Sequence, residues 1–142
     1  MKIIDKTIEL DLKEKFTPFK KYLIDLIKKE KLQEANIVCW VPHEVASLVQ
    51  VGNEEGITED LNDFLGDTAP AGKWMHHDEP GTPFRHNFFE HIQTKIVGSV
   101  NWTFLVKGGE LIFGKYQDLF FFSPVFKDIP KERVFCRILK FK

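Results

Sequence analysis

Five histidines are the residues of this chain best suited to chemistry near neutral pH. Four of them, His76, His77, His86 and His91, lie close together along the chain, and His43 lies upstream. A neutral imidazole can bind a metal ion, and an imidazolium can hold a phosphate or donate a proton. The histidine content therefore favours metal-assisted chemistry or chemistry on a phosphorylated molecule.

Two predicted elements would position His43 and His91, the first and the last histidine of the sequence. An apolar run over 35–41 is typical of a central strand, and His43 follows its end. Apolar residues recur at a spacing of four over 83–97, which predicts a helix. That helix would carry Asn87 and His91 on one face, one turn apart. A polar pocket beside this face is the predicted site.

The loop before the helix adds the densest polar cluster of the sequence, which runs over His76, His77, Asp78 and Glu79. Adjacent histidines point in different directions in most backbones, so we expect at most one of the pair to belong to a site. No spacing matches a compact metal signature such as His-Glu-x-x-His. A histidine at a strand end, such as His43, is more often a surface or hydrogen-bonded group than a functional one.

The hydrophobic patterns predict an α+β fold with about three helices and about seven strands, mostly in antiparallel sheets. Leu119 to Phe122 is apolar on both faces, so a second sheet, a helix layer or a partner subunit must cover it. The chain of 142 residues is predicted to be a single domain, 1–142. The predicted strands cover 2–10, 35–41, 46–51, 100–106, 110–113, 116–122 and 134–142.

Two further helices are bounded by turn and cap residues. Thr17-Pro18 is predicted to start the first, which should fade near Leu32. Thr58 is predicted to cap the second, with Gly66 at its C-terminal end. The inward side of the second helix is predicted to hold Leu61, Phe64 and Leu65.

Composition excludes several classes of partner. A net charge of −1 provides no sequence-wide basic field for nucleic acid or an anionic membrane. The apolar runs are far shorter than the roughly 20 residues that span a bilayer, and the N-terminus lacks the apolar core of a signal peptide. Cys39 and Cys136 lie in strand patterns, the usual setting of buried, reduced thiols. We therefore expect a cytoplasmic protein.

Several motifs in register resemble the YjbQ family, also called uncharacterised protein family 0047. The family signature ends in Gly-x-x-Gln. The matching segments here are Gly109-x-Leu111-x-x-Gly114-x-x-Gln117, Val41-Pro42-His43, Trp74-Met75-His76 and Asn87-Phe88-Phe89-Glu90-His91-Ile92. Their order and spacing agree with the family from about Ala35 to the C-terminus.

The resemblance implies a sandwich-like α+β fold, a compact homotrimer and a secondary thiamine-phosphate synthase activity. That activity is a transfer that joins a pyrimidine pyrophosphate to a thiazole phosphate, with pyrophosphate leaving. Such chemistry needs stabilisation of the leaving anion. The side chains that the resemblance assigns to this task are His43, His76 and His91.

The resemblance also implies how those groups would act. The three histidines would be cationic donors or three ligands of a divalent metal ion with an open coordination position. Gln117 and Asn87 would orient the substrate or a histidine, and Asn53 is the third amide predicted to bind substrate. The small-molecule partner would be a phosphorylated metabolite.

The sequence departs from the family pattern at several positions, and this leaves other functions open. The family's Asn-Glu pair falls on Val51-Gly52, although Asn53-Glu54 follow, and its proline before the hairpin is Leu105. Its Glu-Phe-Asp-Gly-Pro-Arg segment is replaced by the region of 123–126. These changes favour a divergent member that binds a phosphorylated metabolite without turnover. A third hypothesis is a purely structural trimer.

Overall fold

The structure of the chain is a computed structural model that describes residues 1–72 and 87–142. In chain order the elements are β1 (Lys2–Asp11), β2 (Phe16–Pro18), α1 (Lys20–Lys29), β3 (Glu34–Trp40), β4 (Ser47–Gly52), α2 (Ile57–Thr68), α3 (Phe88–Val97), β5 (Asn101–Lys107), β6 (Glu110–Leu111), β7 (Gln117–Phe122) and β8 (Lys131–Lys140). They form an α+β fold of two antiparallel sheets, as predicted. One sheet has the order β1-β8-β3-β5-β6 and the other β2-β7-β4.

Alternation along β8 places its even-numbered residues in the core of the large sheet. Val134, Cys136 and Ile138 are all buried, while the residues between them are exposed or half-buried. Cys136 is the register partner of Cys39 on β3, and the two sulfur atoms lie 3.4 Å apart. Both thiols are free, and the contact between them, together with burial, raises the pKa of the Cys39 thiol.

The small sheet and α1 cover the inner face of the large sheet. Leu23, Leu26 and Ile27 on α1 enter one continuous core with the large sheet. The two sheets also meet at a bridge between Leu48 and Ser99. This arrangement covers Phe121 of β7 completely, as its two-faced apolar sequence requires.

The predicted start of the first helix is wrong by a few residues. The segment Phe16–Pro18 is a strand that pairs with 120–122 of β7, so it is extended where a helix start was predicted. The residue before the helix is Phe19, whose fully buried ring packs in the core. Side-chain burial and strand pairing therefore outweigh the Thr-Pro start signal, and α1 ends at Lys29, before Leu32.

The second helix is longer at both ends than predicted. It begins after Gly56, whose φ of 81° suits glycine, and it continues through Gly66 to Thr68. The prediction for its inward side holds for Leu65, which is 1% exposed, but not for Phe64, which is 51% exposed.

The late strands follow the predicted order, with bounds that differ from the predicted ones by one to three residues. The described part of the third helix begins at Phe88, and 83–86 of the predicted helix lie outside the described residues. Gly108 and Gly109 form the turn between β5 and β6, both with positive φ. The return strand is only two residues long. Within 1–72 and 87–142, no helix has the length and apolar character needed to cross a bilayer.

The outer face of the large sheet carries exposed apolar side chains. Ile3, Trp40, Leu105 and Phe135 come from four different strands and are each 39–57% exposed. An ion pair between Arg137 and Asp5 lies on the same face. An apolar surface of this kind on an isolated chain is typical of an interface.

Gly66 offers a test of the observed extent of α2. It lies inside the helix without a positive φ, and an added Cβ would meet no heavy atom within 4 Å. Gly66→Ala should therefore stabilise the chain by about 0.5–1 kcal/mol, measured by urea unfolding.

Gly98→Ala is the matched control. A Cβ there would lie 2.6 Å from the carbonyl oxygen of Leu48 and against the hydroxyl of Ser47, so this change should destabilise the chain. An unchanged or lower stability of Gly66→Ala would contradict a helix that continues past residue 65.

Candidate functional site

His43 lies where β3 leaves its neighbour β8. Pairing between the two strands ends at Trp40 and Phe135, and Pro42 has no N–H group to extend it. The imidazole continues the hydrogen bonding of β8 beyond the end of the strand pairing. The backbone N–H of Arg133 donates to Nε2 of His43 at 3.2 Å. The histidine is thereby fixed to the end of the large sheet.

Glu132 is the acidic partner of His43. Its carboxyl is on the core side of β8, with the side chain 2% exposed, and Oε2 lies 2.7 Å from Nε2 of His43. The contact is close but poorly aligned, since Oε2 has no partner with hydrogen-bond geometry. Nε2 already accepts the Arg133 N–H through its lone pair. A proton on Oε2 would therefore compete with the Arg133 N–H for the single lone pair of Nε2.

Burial shifts the pKa values of Glu132 and His43 in opposite directions. Desolvation raises the pKa of Glu132 to about 7 from an ordinary 4.5. Desolvation also lowers the pKa of His43 below its ordinary 6.5. Of two smaller influences, the hydrogen bond with the Arg133 backbone raises this pKa and the charge of Arg133 lowers it. Burial therefore favours the neutral form of both groups.

Two clefts meet at this pair. The smaller has a volume of about 210 Å³, and its apolar walls are Pro42, Val45, Val125 and Ile129. The larger, about 480 Å³, lies on the side of β1 and includes Lys131, Arg133, Glu9 and Asp11. His43 and Glu132 line both clefts. The pair is thus accessible from an apolar side and from a charged side.

Glu44 connects the His43 segment to helix α3. Its Oε1 lies 3.4 Å from Nδ1 of His91 and 3.2 Å from Nζ of Lys95. Lys95 also donates to the backbone carbonyl of Glu44 at 3.1 Å. The hydrogen bond from Lys95 is the main cause that lowers the pKa of Glu44. The structure therefore brings His91, which is buried, to the residue that follows His43.

Asn87 stands just before α3 but does not cap it with its side chain. The residue is 3% exposed, and neither atom of its amide has a hydrogen-bond partner among the described residues. Unsatisfied buried amides are uncommon and costly. Asn87 therefore retains the capacity to bind a polar group, and its role in substrate binding stays a prediction.

Gln117 and Asn53 lie together at the opposite end of β4. Oε1 of Gln117 accepts the N–H of Gly114 at 2.7 Å, and Nδ2 of Asn53 donates to the carbonyl of Lys115 at 3.3 Å. Both side chains thus hold the loop 114–117. The length of β4 separates this loop from His43 by roughly 20 Å. Within one chain, the structure does not bring these two amides to His43.

The predicted metal site falls partly outside the described residues, because His76 and His77 lie in 73–86. Among 1–72 and 87–142, no three His, Cys, Asp or Glu side chains converge in a way that could hold a metal ion. Nε2 of His43 is occupied by the Arg133 N–H, so a metal would need its other ring nitrogen or would displace that bond.

Glu132 is the site residue that the sequence analysis missed. The alternation of inward and outward side chains along β8 could have identified it. The apolar residues 134, 136 and 138 define the core side, and counting back by two places Glu132 on that side. A carboxylate at a core position of a strand is rare unless it has a partner. This alternation alone predicts that Glu132 faces the core, but it does not predict that His43 is its partner.

Two antiparallel sheets and three helices place the described part of the chain in the α+β class. The family model described as UPF0047 protein YjbQ-like matches residues 6–140. The chain therefore belongs to the YjbQ-like UPF0047 family. A search of curated proteins finds no match.

Solved structures agree with this fold at low sequence identity. A YbjQ-like protein of unknown function from Sulfolobus solfataricus P2 has 19% identity and a TM-score of 0.71, with 98% of both chains covered. A YjbQ/UPF0047 family protein from Clostridium acetobutylicum has 18% identity and a TM-score of 0.69, covering 96% of this chain and 99% of that one. A hypothetical protein from Aeropyrum pernix K1 has 19% identity and a TM-score of 0.65, covering 99% and 98%.

The raised pKa of Glu132 predicts how stability depends on pH. Between pH 4.5 and about 7 the folded chain holds a proton that the unfolded chain has released. Stability should therefore fall as pH rises through this window. Relative to Glu132→Gln, which has no such proton, the wild type should lose on the order of 2 kcal/mol, measured by urea unfolding at pH 5 and pH 8.

Glu44→Gln is the control, and here the opposite dependence of stability on pH is expected. The pKa of Glu44 is lowered, so wild-type stability relative to this variant should rise with pH through the range of an ordinary carboxyl. Parallel pH profiles for wild type and Glu132→Gln would show that Glu132 titrates as a solvated carboxyl.

Proposed function

We propose that this chain is an enzyme that acts on a phosphorylated small molecule and uses His43 and Glu132 to deliver a proton to the leaving group. The observation that supports this is the close contact between Nε2 of His43 and the buried carboxyl of Glu132 at the meeting point of two clefts. A general acid is most effective when its pKa lies near the working pH. Glu132, with a pKa of about 7, meets that condition.

Lys131 and Arg133 are the groups of the larger cleft that support an anionic leaving group there. Lys131 and Arg133 supply two positive charges beside His43, against the acidic Glu9 and Asp11. In the proposed step, His43 passes a proton to an oxygen of the departing anion and recovers it from Glu132. Positive charge near the developing negative charge lowers the barrier further.

The reaction proposed is the one that the family resemblance implies, transfer of a pyrimidine pyrophosphate to a thiazole phosphate with release of pyrophosphate. His91 on α3 and Asn87 just before that helix are the proposed substrate-side partners, and His76 is the proposed third histidine of the site. Gln117 and Asn53 keep their proposed role in substrate binding only if a second chain supplies them, because β4 separates them from His43.

Pyrophosphate release from the two proposed substrates tests this function. Wild-type protein should turn the pair over, and His43→Gln should lower kcat by about 100-fold or more, the usual contribution of a general acid. Glu132→Gln should lower kcat as well and should remove the dependence on an ionisation near pH 7. Lys28→Ala, a change on the exposed face of α1, should leave kcat unchanged. Equal kcat for wild type and His43→Gln would contradict the proposal.

A second candidate is a family member that binds a phosphorylated metabolite without turnover. The distance between the loop 114–117 and His43 favours it, as does an acidic group where an anion would approach the histidine. This alternative predicts thermal stabilisation by phosphorylated metabolites that depends on Lys131 and Arg133, with no pyrophosphate released. Turnover that His43→Gln abolishes would exclude it.

We also propose that the chain forms a homotrimer through the outer face of its large sheet. Trp40, Leu105, Phe135 and Ile3 supply an apolar surface on that face, which a partner would cover. The proposed compartment is the cytoplasm, since the neighbouring thiols of Cys39 and Cys136 are both free.

A charge on this face should disrupt the assembly. Leu105 is 53% exposed, so Leu105→Glu should leave the fold intact and convert the trimer to monomers, measured by light scattering after size-exclusion chromatography. Phe64→Glu, equally exposed but on α2, is the control and should remain trimeric. A monomeric wild-type protein at micromolar concentration would contradict the proposal.

A further inference from the structure

Three polar side chains converge where helix α3 passes the segment that follows β3. His91 and Lys95 are four residues apart on α3, so they lie one turn apart on the same face of the helix. Glu44 approaches both from the segment after β3. Its Oε1 lies 3.4 Å from Nδ1 of His91 and 3.2 Å from Nζ of Lys95. One carboxylate oxygen therefore faces two nitrogen atoms of one helix face.

Lys95 holds Glu44 through both its backbone and its side chain. Nζ donates to the carbonyl oxygen of Glu44 at 3.1 Å and to Oε1 at 3.2 Å. It also lies 3.5 Å from the carbonyl oxygen of His91, in the preceding turn of the helix. An ammonium group has three N–H bonds, and these three acceptors match them. The Glu44 side chain is 71% exposed, so without Lys95 it could turn into the solvent.

The contact between Glu44 and His91 determines which ring nitrogen carries the proton. The pKa of Glu44 is lowered, chiefly by the hydrogen bond from Lys95, so the carboxyl is ionised near neutral pH and can only accept. A neutral imidazole has one N–H group and one nitrogen with a lone pair. A lone pair on Nδ1 would face the negative Oε1, whereas an N–H at Nδ1 donates to it. The geometry therefore favours the tautomer with the proton on Nδ1.

We propose that Glu44 is a positioning residue that keeps the ring proton of neutral His91 on Nδ1, with Lys95 holding Glu44 in place. In this tautomer Nε2 carries a lone pair, so it accepts a hydrogen bond or binds a metal ion and cannot donate. Carboxylates orient histidines in this way in many enzyme sites. The inference rests on the proposed function and gives His91 the role of an acceptor, whereas His43 delivers a proton.

The two roles open to Glu44 differ in what its loss would change. As a surface ion pair alone, the contact between Glu44 and Lys95 would contribute little to stability, because both side chains are more than half exposed. Its removal would leave the His91 ring unchanged. As a positioning residue, Glu44 determines the proton position on His91, even where the free energy of unfolding hardly depends on it. The tautomer of His91 is therefore the measurement that separates the two roles.

Nitrogen-15 NMR of the full chain at pH 8.5, well above the ordinary pKa of a histidine, measures this tautomer. The signals of His91 are assigned from their loss in His91→Gln. Wild type should have the proton mainly on Nδ1. Glu44→Ala should shift the population toward the Nε2–H form by about threefold or more, the usual effect of one lost hydrogen bond. Glu44→Gln should restore the wild-type population, because its amide oxygen still accepts.

Two further variants complete the set. Lys95→Met removes the ammonium group and should shift the population in the same direction as Glu44→Ala, but less. Glu59→Ala, which removes an exposed carboxylate from α2, is the matched control and should leave it unchanged. A wild-type His91 with its proton mainly on Nε2, or equal populations in wild type and Glu44→Ala, would overturn the inference. An unchanged population in Lys95→Met would overturn the part assigned to Lys95. Urea unfolding confirms that each variant is folded.

Turnover of the same variants separates the inference from the proposed function. In an active enzyme, Glu44→Ala should lower kcat/KM about tenfold, the usual effect of losing a group that orients a site residue, and Glu44→Gln should restore it. The expected tautomers without release of pyrophosphate would support the positioning of His91 and exclude the enzyme. Turnover by a wild type whose His91 proton lies on Nε2 would support the enzyme and overturn the inference. An active enzyme whose kcat/KM is unchanged in Glu44→Ala would also overturn it.

Discussion

A buried carboxyl that faces an imidazole is the constraint on which this site depends. Glu132 occupies a core position of β8, where the alternating strand offers an apolar residue at each of the next three inward sites. Such a group destabilises a sheet unless it is neutral or paired. The end of β3 supplies the partner, because Pro42 stops the ladder and leaves His43 beside Glu132. The position of the site is thus a consequence of how two strands separate.

The surrounding elements hold the histidine segment in place. Lys95 on α3 binds both the carbonyl and the carboxylate of Glu44, so the helix is fastened to the residue after His43. Gln93 donates to the carbonyls of Leu65 and Ala69 and satisfies the C-terminal end of α2. These bonds join α2, α3 and the strand end into one frame. The apolar outer face lies apart from this frame on the large sheet and leaves room for assembly.

Local patterns predicted the fold well because they report burial. The apolar patterns predicted strands over 2–10 and 134–142, and the structure has the long strands β1 and β8 there. Cap signals were less reliable, since Phe19 and the β2–β7 pairing displaced the helix start from Thr17. The site could be predicted only in part. His43 and His91 were visible by type, whereas their link through Glu44, the partner Glu132 and the remote placement of Gln117 depend on contacts between residues distant in sequence.

The hydrogen bond from the Arg133 amide to His43 has a practical consequence. A backbone N–H that is bonded to a carbonyl keeps its partner at every pH, but this one depends on a lone pair of the imidazole. When Nε2 gains a proton or binds a ligand, the amide must lose its acceptor. The NMR resonance of this single amide therefore reports the occupancy of the site directly, from a position inside the sheet and without any label on the histidine.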